Sequence, residues 1–217
     1  MRSRRAILIA LVLFARATAL NAARDFVLPQ ASPATSYPAH DQHTQEGVTF
    51  AADPYDLPDK EASVFSIRFL EHGLLPVFLV VTNDSDNPIA LTSMKLQLIT
   101  ADKVKINPAT EEDIYRAIQR SIKRPDSPRT SPVPLPRRAP KPTVRGSERD
   151  EVDGAMFRAR AVEPHKTRSG FVFFDVSGIS RPLSGARLYA TGVKNGDGDE
   201  LWYFEIPMEK YLSTPVR

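Results

Sequence analysis

Cysteine is absent from the 217 residues, which excludes thiol nucleophiles, disulfide frameworks, cysteine zinc sites and lipid attachment through a cysteine. Glycine is scarce at 10 residues, and none of it falls in a G-x-G-x-x-G or Walker-type arrangement. A phosphate-cradling loop and the nucleotide cofactors that use one are therefore not expected. Only four histidines and one tryptophan are present. Long apolar runs are missing as well. The longest, Ala6 to Ala15 (AILIALVLFA), spans only about 15 Å as a helix, roughly half the hydrocarbon core of a bilayer.

That short run has a specific setting. Arg2, Arg4 and Arg5 precede it, Arg16 closes it, and Ala17-Thr18-Ala19 supplies a small-x-small site. Together these read as a secretory signal peptide over 1–19, with Leu20-Asn21-Ala22 as a second cleavage option, and predict a periplasmic or extracellular protein. A retained membrane anchor is the alternative reading.

Charge is distributed unevenly. The signal segment carries +4, and the stretch 124–148 another +4 from six basic and two acidic residues. Taken from the whole-chain charge of +3, these leave −5 on the remainder. The basic pI of about 9.2 therefore says nothing for a nucleic-acid-binding domain, and no nucleic-acid partner is expected.

Along the mature chain, residues 20–46 lack helical or strand periodicity and read as a flexible leader. A first strand is expected at Val48–Ala52. Pro58, the acidic Asp59 and Glu61, the spacing of Ala62, Phe65 and Phe69, and Gly73 predict a helix of about four turns. Leu75–Thr82 and Ile89–Thr100, separated by Asn83-Asp84-Ser85-Asp86-Asn87-Pro88, predict an antiparallel hairpin. The first of these strands is apolar on both faces, so it should be central, with one face on an opposing sheet and the other under the helix at 58–72. Thr110 and Asp113 form a capping-box variant ahead of a second helix with apolar Ile114, Ala117 and Ile118.

From 124 to 148, seven prolines and no aromatic residue predict a disordered, polyproline-II-biased insert. Further strands are expected at 157–161, 170–176, 186–191 and 201–208, with Asn195-Gly196-Asp197-Gly198 as a turn before the last. The last strand would send Trp202, Phe204, Ile206 and Met208 inward. Seven or eight short strands with one-faced alternation predict one mainly β domain over 47–208, an antiparallel β-sandwich with two accessory helices, followed by a tail at 209–217.

Several motifs point to structure alone. The stretches Ala52-Asp53-Pro54-Tyr55-Asp56, Gly73-Leu74-Leu75-Pro76-Val77 and Val80 through Ile89 resemble a group of uncharacterised exported bacterial proteins. Pro164, Gly170-Phe171-Val172-Phe173-Phe174 and Leu188 are similar to the back half of immunoglobulin-like accessory modules of bacterial envelope proteins. The resemblance spans roughly 45–122 and 156–208. It implies an immunoglobulin-like sandwich and brings no catalytic residues.

Candidate chemistry is thin. His40, Asp41 and His43 cluster, but two imidazoles in a leader make a weak metal site, with His72 and His165 far off in sequence. Asn195, Asp197, Asp199 and Glu200 resemble a calcium loop in composition and miss the EF-hand pattern, so a turn is the better reading. Ser177-Gly178-Ile179-Ser180-Arg181 fits no nucleophile elbow, and Ser121 has Arg124 where a catalytic lysine would stand. Glu111, Glu112 and Asp113 suit a helix N-terminus. No catalytic residue, metal ligand or cofactor is assigned.

Two binding readings remain. The first is a non-catalytic module that contacts another envelope or extracellular protein through exposed sheet edges. The basic insert offers a possible contact with an anionic surface through Arg137, Arg138 and Lys141, extended by Arg158 and Arg160 on one strand face. The second is a small-ligand or glycan-binding domain with Trp202, Tyr203 or Tyr189 as an aromatic platform, against which stands the expectation that Trp202 is buried.

Overall fold

The computed structural model describes residues 26–122 and 145–211. The protein is mainly β, with ten strands and three α-helices among the described residues and antiparallel pairing throughout the sheets. One four-stranded sheet has the order β1 (His40–His43), β2 (Val48–Pro54), β3 (Leu74–Asn83), β8 (Lys166–Asp175). Another orders β10 (Phe204–Pro207), β9 (Arg187–Thr191), β5 (Lys95–Ile99), β6 (Lys105–Ile106). A two-stranded piece joins β4 (Ile89–Ala90) to β7 (Ala161–Val162).

β3 organises the fold as its sequence predicts. All ten of its residues are buried, and successive side chains point to opposite faces. Leu75, Val77, Leu79 and Val81 enter a core shared with Leu98 of β5, Leu188 of β9 and Phe204 of β10. Leu74, Phe78 and Val80 enter a second core on the far face. The central position of Pro76 is unusual, because proline cannot donate to a ladder. Its carbonyl accepts the Tyr55 N–H at 2.8 Å, so its missing donor points to the side where β2 ends at Pro54 and little pairing is lost.

The expected hairpin between 75–82 and 89–100 does not form. β3 takes β2 and β8 as neighbours, whereas β5 pairs with β9 in the other sheet. Asn83 explains the divergence. Its fully buried side chain donates to the carbonyls of Asn87 (2.8 Å) and Val162 (3.1 Å) and accepts from the N–H (3.1 Å) and hydroxyl (2.7 Å) of Ser85. The turn is thereby tied to β7, and the chain leaves toward the second sheet instead of folding back on β3.

The helix expected over 58–72 is also broken. Only Pro58–Ala62 (α1) is α-helical, and Phe69–His72 is a 3-10 turn ending at Gly73 in the left-handed region. Between them, the Ser66 and Ile67 N–H groups go to the Glu151 carboxylate at 2.7 and 3.0 Å, and within the 3-10 turn the Leu70 N–H goes to the Glu61 side chain of α1 at 2.9 Å. Tertiary acceptors replace the helical ones. The second core is accordingly covered by Phe65, Ile67 and Phe69 from this segment, by Ile114, Ala117 and Ile118 of α2 (Glu111–Ile122), and by Val152 and Ala155 of α3 (Gly146–Ala155). The Thr110–Asp113 capping box is present in both directions.

α3 begins inside the stretch expected to be disordered; the rest of that stretch, 124–144, lies outside the described residues. Past α3, the strand expected at 157–161 shrinks to β7. The edge of β8 is instead closed by single bonds, Phe157 N–H to Phe171 (2.9 Å) and Ala109 N–H to Phe173 (2.7 Å). Phe157 comes so near that a Cβ on Gly170 would lie 2.6 Å from its Cα, which only glycine permits.

Order also extends beyond the expected limits of 47 and 208. From Phe26 on, the supposed leader is packed chain: Phe26 stacks on Phe65 with centroids 5.6 Å apart, the Ala34 N–H donates to the Thr82 hydroxyl at 2.9 Å, and β1 pairs with β2. Met208–Tyr211 forms a 3-10 turn whose Tyr211 hydroxyl donates to the Ala52 carbonyl at 2.7 Å.

Candidate functional site

The outward face of the second sheet carries the feature with most binding potential. In β9, Leu188 and Ala190 are buried while Arg187, Tyr189 and Thr191 point outward. Register sets Tyr189 between Gln97 of β5 and Glu205 of β10, and cross-strand partners share a face. The Tyr203 ring lies 5.8 Å from that of Tyr189, and the Trp202 ring 6.5 Å from Tyr203, with planes inclined by 39° and 55°. Trp202 is 76% exposed and Tyr203 47%. Three aromatic rings thus form one twisted strip in water.

The expectation that Trp202 is buried is overturned, and the backbone gives the reason. β10 starts only at Phe204. Ahead of it, the Leu201 N–H donates to the Val193 carbonyl at 2.8 Å, so residues 202 and 203 stand outside the β9 ladder. Strict alternation fails there, and both rings reach the surface.

Around the strip the polar groups are mostly paired. Arg187 bonds Glu205 across the strands, and Gln97 donates to Asn107 at 3.1 Å. Arg187 and Glu205 therefore compensate each other, while Lys95 stands on the same face opposite Thr191.

Of the residues expected to make a basic patch, only Arg158 and Arg160 lie among the described residues. Arg137, Arg138 and Lys141 lie outside the described residues. Arg158 and Arg160 sit in the connection between α3 and β7, not on a strand face. Arg158 is engaged by Asp153 at 3.0 Å and Glu111 at 3.5 Å, whereas Arg160 is exposed.

The histidine cluster is divided by strand alternation. His40 and His43, three positions apart on β1, face opposite sides. His40 Nδ1 lies 2.6 Å from the Tyr37 carbonyl, and the His43 ring stacks on Phe204 at 4.0 Å. Asp41 accepts the Glu205 N–H at 2.7 Å, which ties β1 to β10 and covers that edge of both sheets. In the 195–200 turn, Asn195 Oδ1 accepts the N–H groups of Asp197 (3.0 Å) and Asp199 (2.8 Å), as expected of a turn. Among the described residues no group of three or more His, Asp or Glu is arranged to hold a metal ion.

Two clefts elsewhere hold an ionisable group shifted by burial. One, of about 580 Å³, is lined by His72, Gly73, Arg120 and Ser177. Burial holds the His72 imidazole below its ordinary pKa, against the opposing pull of Glu71 and Glu148, and its buried Nδ1 has no hydrogen-bond partner among the described residues. The other, of about 470 Å³, has an apolar floor of Leu75 and Leu183 with Asp56 at its margin; burial raises the Asp56 carboxyl. Lys60 donates to Asp53 (2.6 Å) and to the Pro54 carbonyl (2.9 Å), with its Nζ 4.6 Å from the Tyr55 ring centroid. Burial and the Asp53 charge push the Tyr55 hydroxyl up to about 12. This cluster fastens the 53–60 corner.

No protein-family model matches this chain, and no curated protein shows significant similarity to it. Among the described residues no helix is long and apolar enough to cross a membrane.

Proposed function

We propose that the protein is an exported, non-catalytic binding module, its two larger sheets forming an immunoglobulin-like sandwich, that engages another component of the bacterial envelope or its surroundings through the Tyr189–Tyr203–Trp202 face. Support for export is the basic, apolar and small-residue order of 1–19. Support for the sandwich is the core shared by the two four-stranded sheets and the resemblance to envelope accessory modules.

The exposure of Trp202 beside Tyr203 carries the binding reading. A large ring left in water forgoes about 1.5–3 kcal/mol of burial free energy, and neighbouring exposed rings are the side chains most often found at recognition sites. Sheet edges are weaker ground than the first reading supposed, because β1 is bound to β10 and part of β8 is covered.

Retention in washed envelopes tests this. The parent protein should remain with the envelope fraction, and Trp202→Ala/Tyr203→Ala should be released into the soluble fraction while melting like the parent. Equal retention of both proteins overturns the reading.

A further inference from the structure

Resting on that reading, we infer that the aromatic strip is a subsite for a single neutral glycan chain built of flat, equatorially substituted sugar rings. Such a ring presents axial C–H groups on its faces, and the electron-rich faces of Trp and Tyr attract them. Hydroxyls around the sugar's rim need donors and acceptors at the side of the stack. Both requirements are met here. The rings follow one another at 5.8 and 6.5 Å, and the Gln97–Asn107 amides and the Arg187–Glu205 pair lie alongside.

The geometry narrows the ligand. Ring planes inclined by 39° and 55° do not make the level platform that a crystalline polysaccharide surface would require. A separate chain can twist to follow them. Arg187 is already paired with Glu205, and Tyr189 is flanked across the ladder by Gln97 and Glu205 rather than by a cation, which favours an uncharged sugar at that ring.

A protein partner fits less well. The cores of protein interfaces are depleted in charge, yet Tyr189 has Glu205 directly across the ladder on one side and Gln97 on the other. A sugar, bearing hydroxyls at its rim and C–H groups on its faces, matches that mixture.

The test uses the full exported chain with cellohexaose and chitohexaose as neutral probes and polygalacturonate as the charged one. Trp202 is the only tryptophan, so intrinsic fluorescence reports this site. A saturable change with a neutral probe, protected from acrylamide, is expected. By calorimetry Tyr203→Ala or Tyr189→Ala should weaken binding about tenfold, with far-UV circular dichroism and melting unchanged.

Three results overturn the inference. Binding undiminished in both tyrosine variants places the site elsewhere, and polygalacturonate binding as tightly as the neutral probes removes the preference for an uncharged chain. Failure of both neutral probes, with Trp202→Ala/Tyr203→Ala still released from envelopes, assigns the face to a protein partner and leaves the proposed function standing. If the double variant is also retained, both readings fall.

Discussion

The carboxylate of Glu151 accepts the backbone N–H of Ser66 at 2.7 Å across 85 residues of sequence. It also accepts the Ile67 N–H at 3.0 Å and the Ser66 hydroxyl. Glu151 is only 4% exposed, so a helix-borne acid is embedded in the molecule in order to satisfy a loop. That loop carries Phe65 and Phe69, whose rings cover Phe171 and Phe173 at 4.7 Å centroid separations.

Truncating this acid should therefore loosen the second core. Glu151→Ala leaves buried donors without an acceptor, at a cost of about 2–3 kcal/mol. Glu151→Gln retains one accepting oxygen and should recover part of the loss. Urea denaturation of the three proteins checks the order parent, Gln, Ala; an Ala variant as stable as the parent would mean that the 63–68 segment finds other partners.

β3 permits a sharper comparison, since its two faces feed different cores. Leu79 enters the core between the larger sheets and Val80 the one beneath the helices, both with no exposed surface. Leu79→Ala should cost about 2–5 kcal/mol, and Val80→Asp at least as much because it buries a charge. Lys95→Ala, on the exposed face of β5, should stay within roughly 0.5 kcal/mol. Chemical denaturation decides this. A Val80→Asp protein that unfolds like the parent would show that the helical layer is not closed over β3.

The centrality of β3 was legible because a strand apolar on both faces has no solvent side to offer. Thr110 and Asp113 were equally plain, since a capping box acts between close neighbours. What escaped depends on distant partners. Helix α3 has only Val152 and Ala155 buried among its apolar side chains, too few for a periodic stripe. Phe26, Leu28 and Tyr37 pack on the second core at spacings that match neither helix nor strand. The aromatic face was half legible. Tyr189 points outward by simple alternation, whereas the exposure of Trp202 follows from where β10 begins, which the bond from Leu201 to Val193 decides.

The last prediction concerns acid. Burial lowers the His72 pKa in the fold relative to its ordinary value of 6.5, and its enclosed Nδ1 has no hydrogen-bond partner among the described residues. Between the folded pKa and 6.5, the unfolded chain binds a proton that the native protein does not. Stability then rises with pH across that window. The contribution of His72 is fully present above about 6.5 and is lost as pH falls through the folded pKa. Asp56 and Glu61, whose carboxyls burial raises, act in the opposite sense: they stabilise below the ordinary carboxylate range, and that stabilisation is lost as pH rises through their folded values. Melting curves from pH 7.5 to 5 should therefore fall more steeply for the parent than for His72→Gln, which has no proton to gain there. Parallel curves for the two proteins would show that His72 is as readily protonated in the fold as in the open chain, and that its side chain reaches water through the cleft beside Ser177.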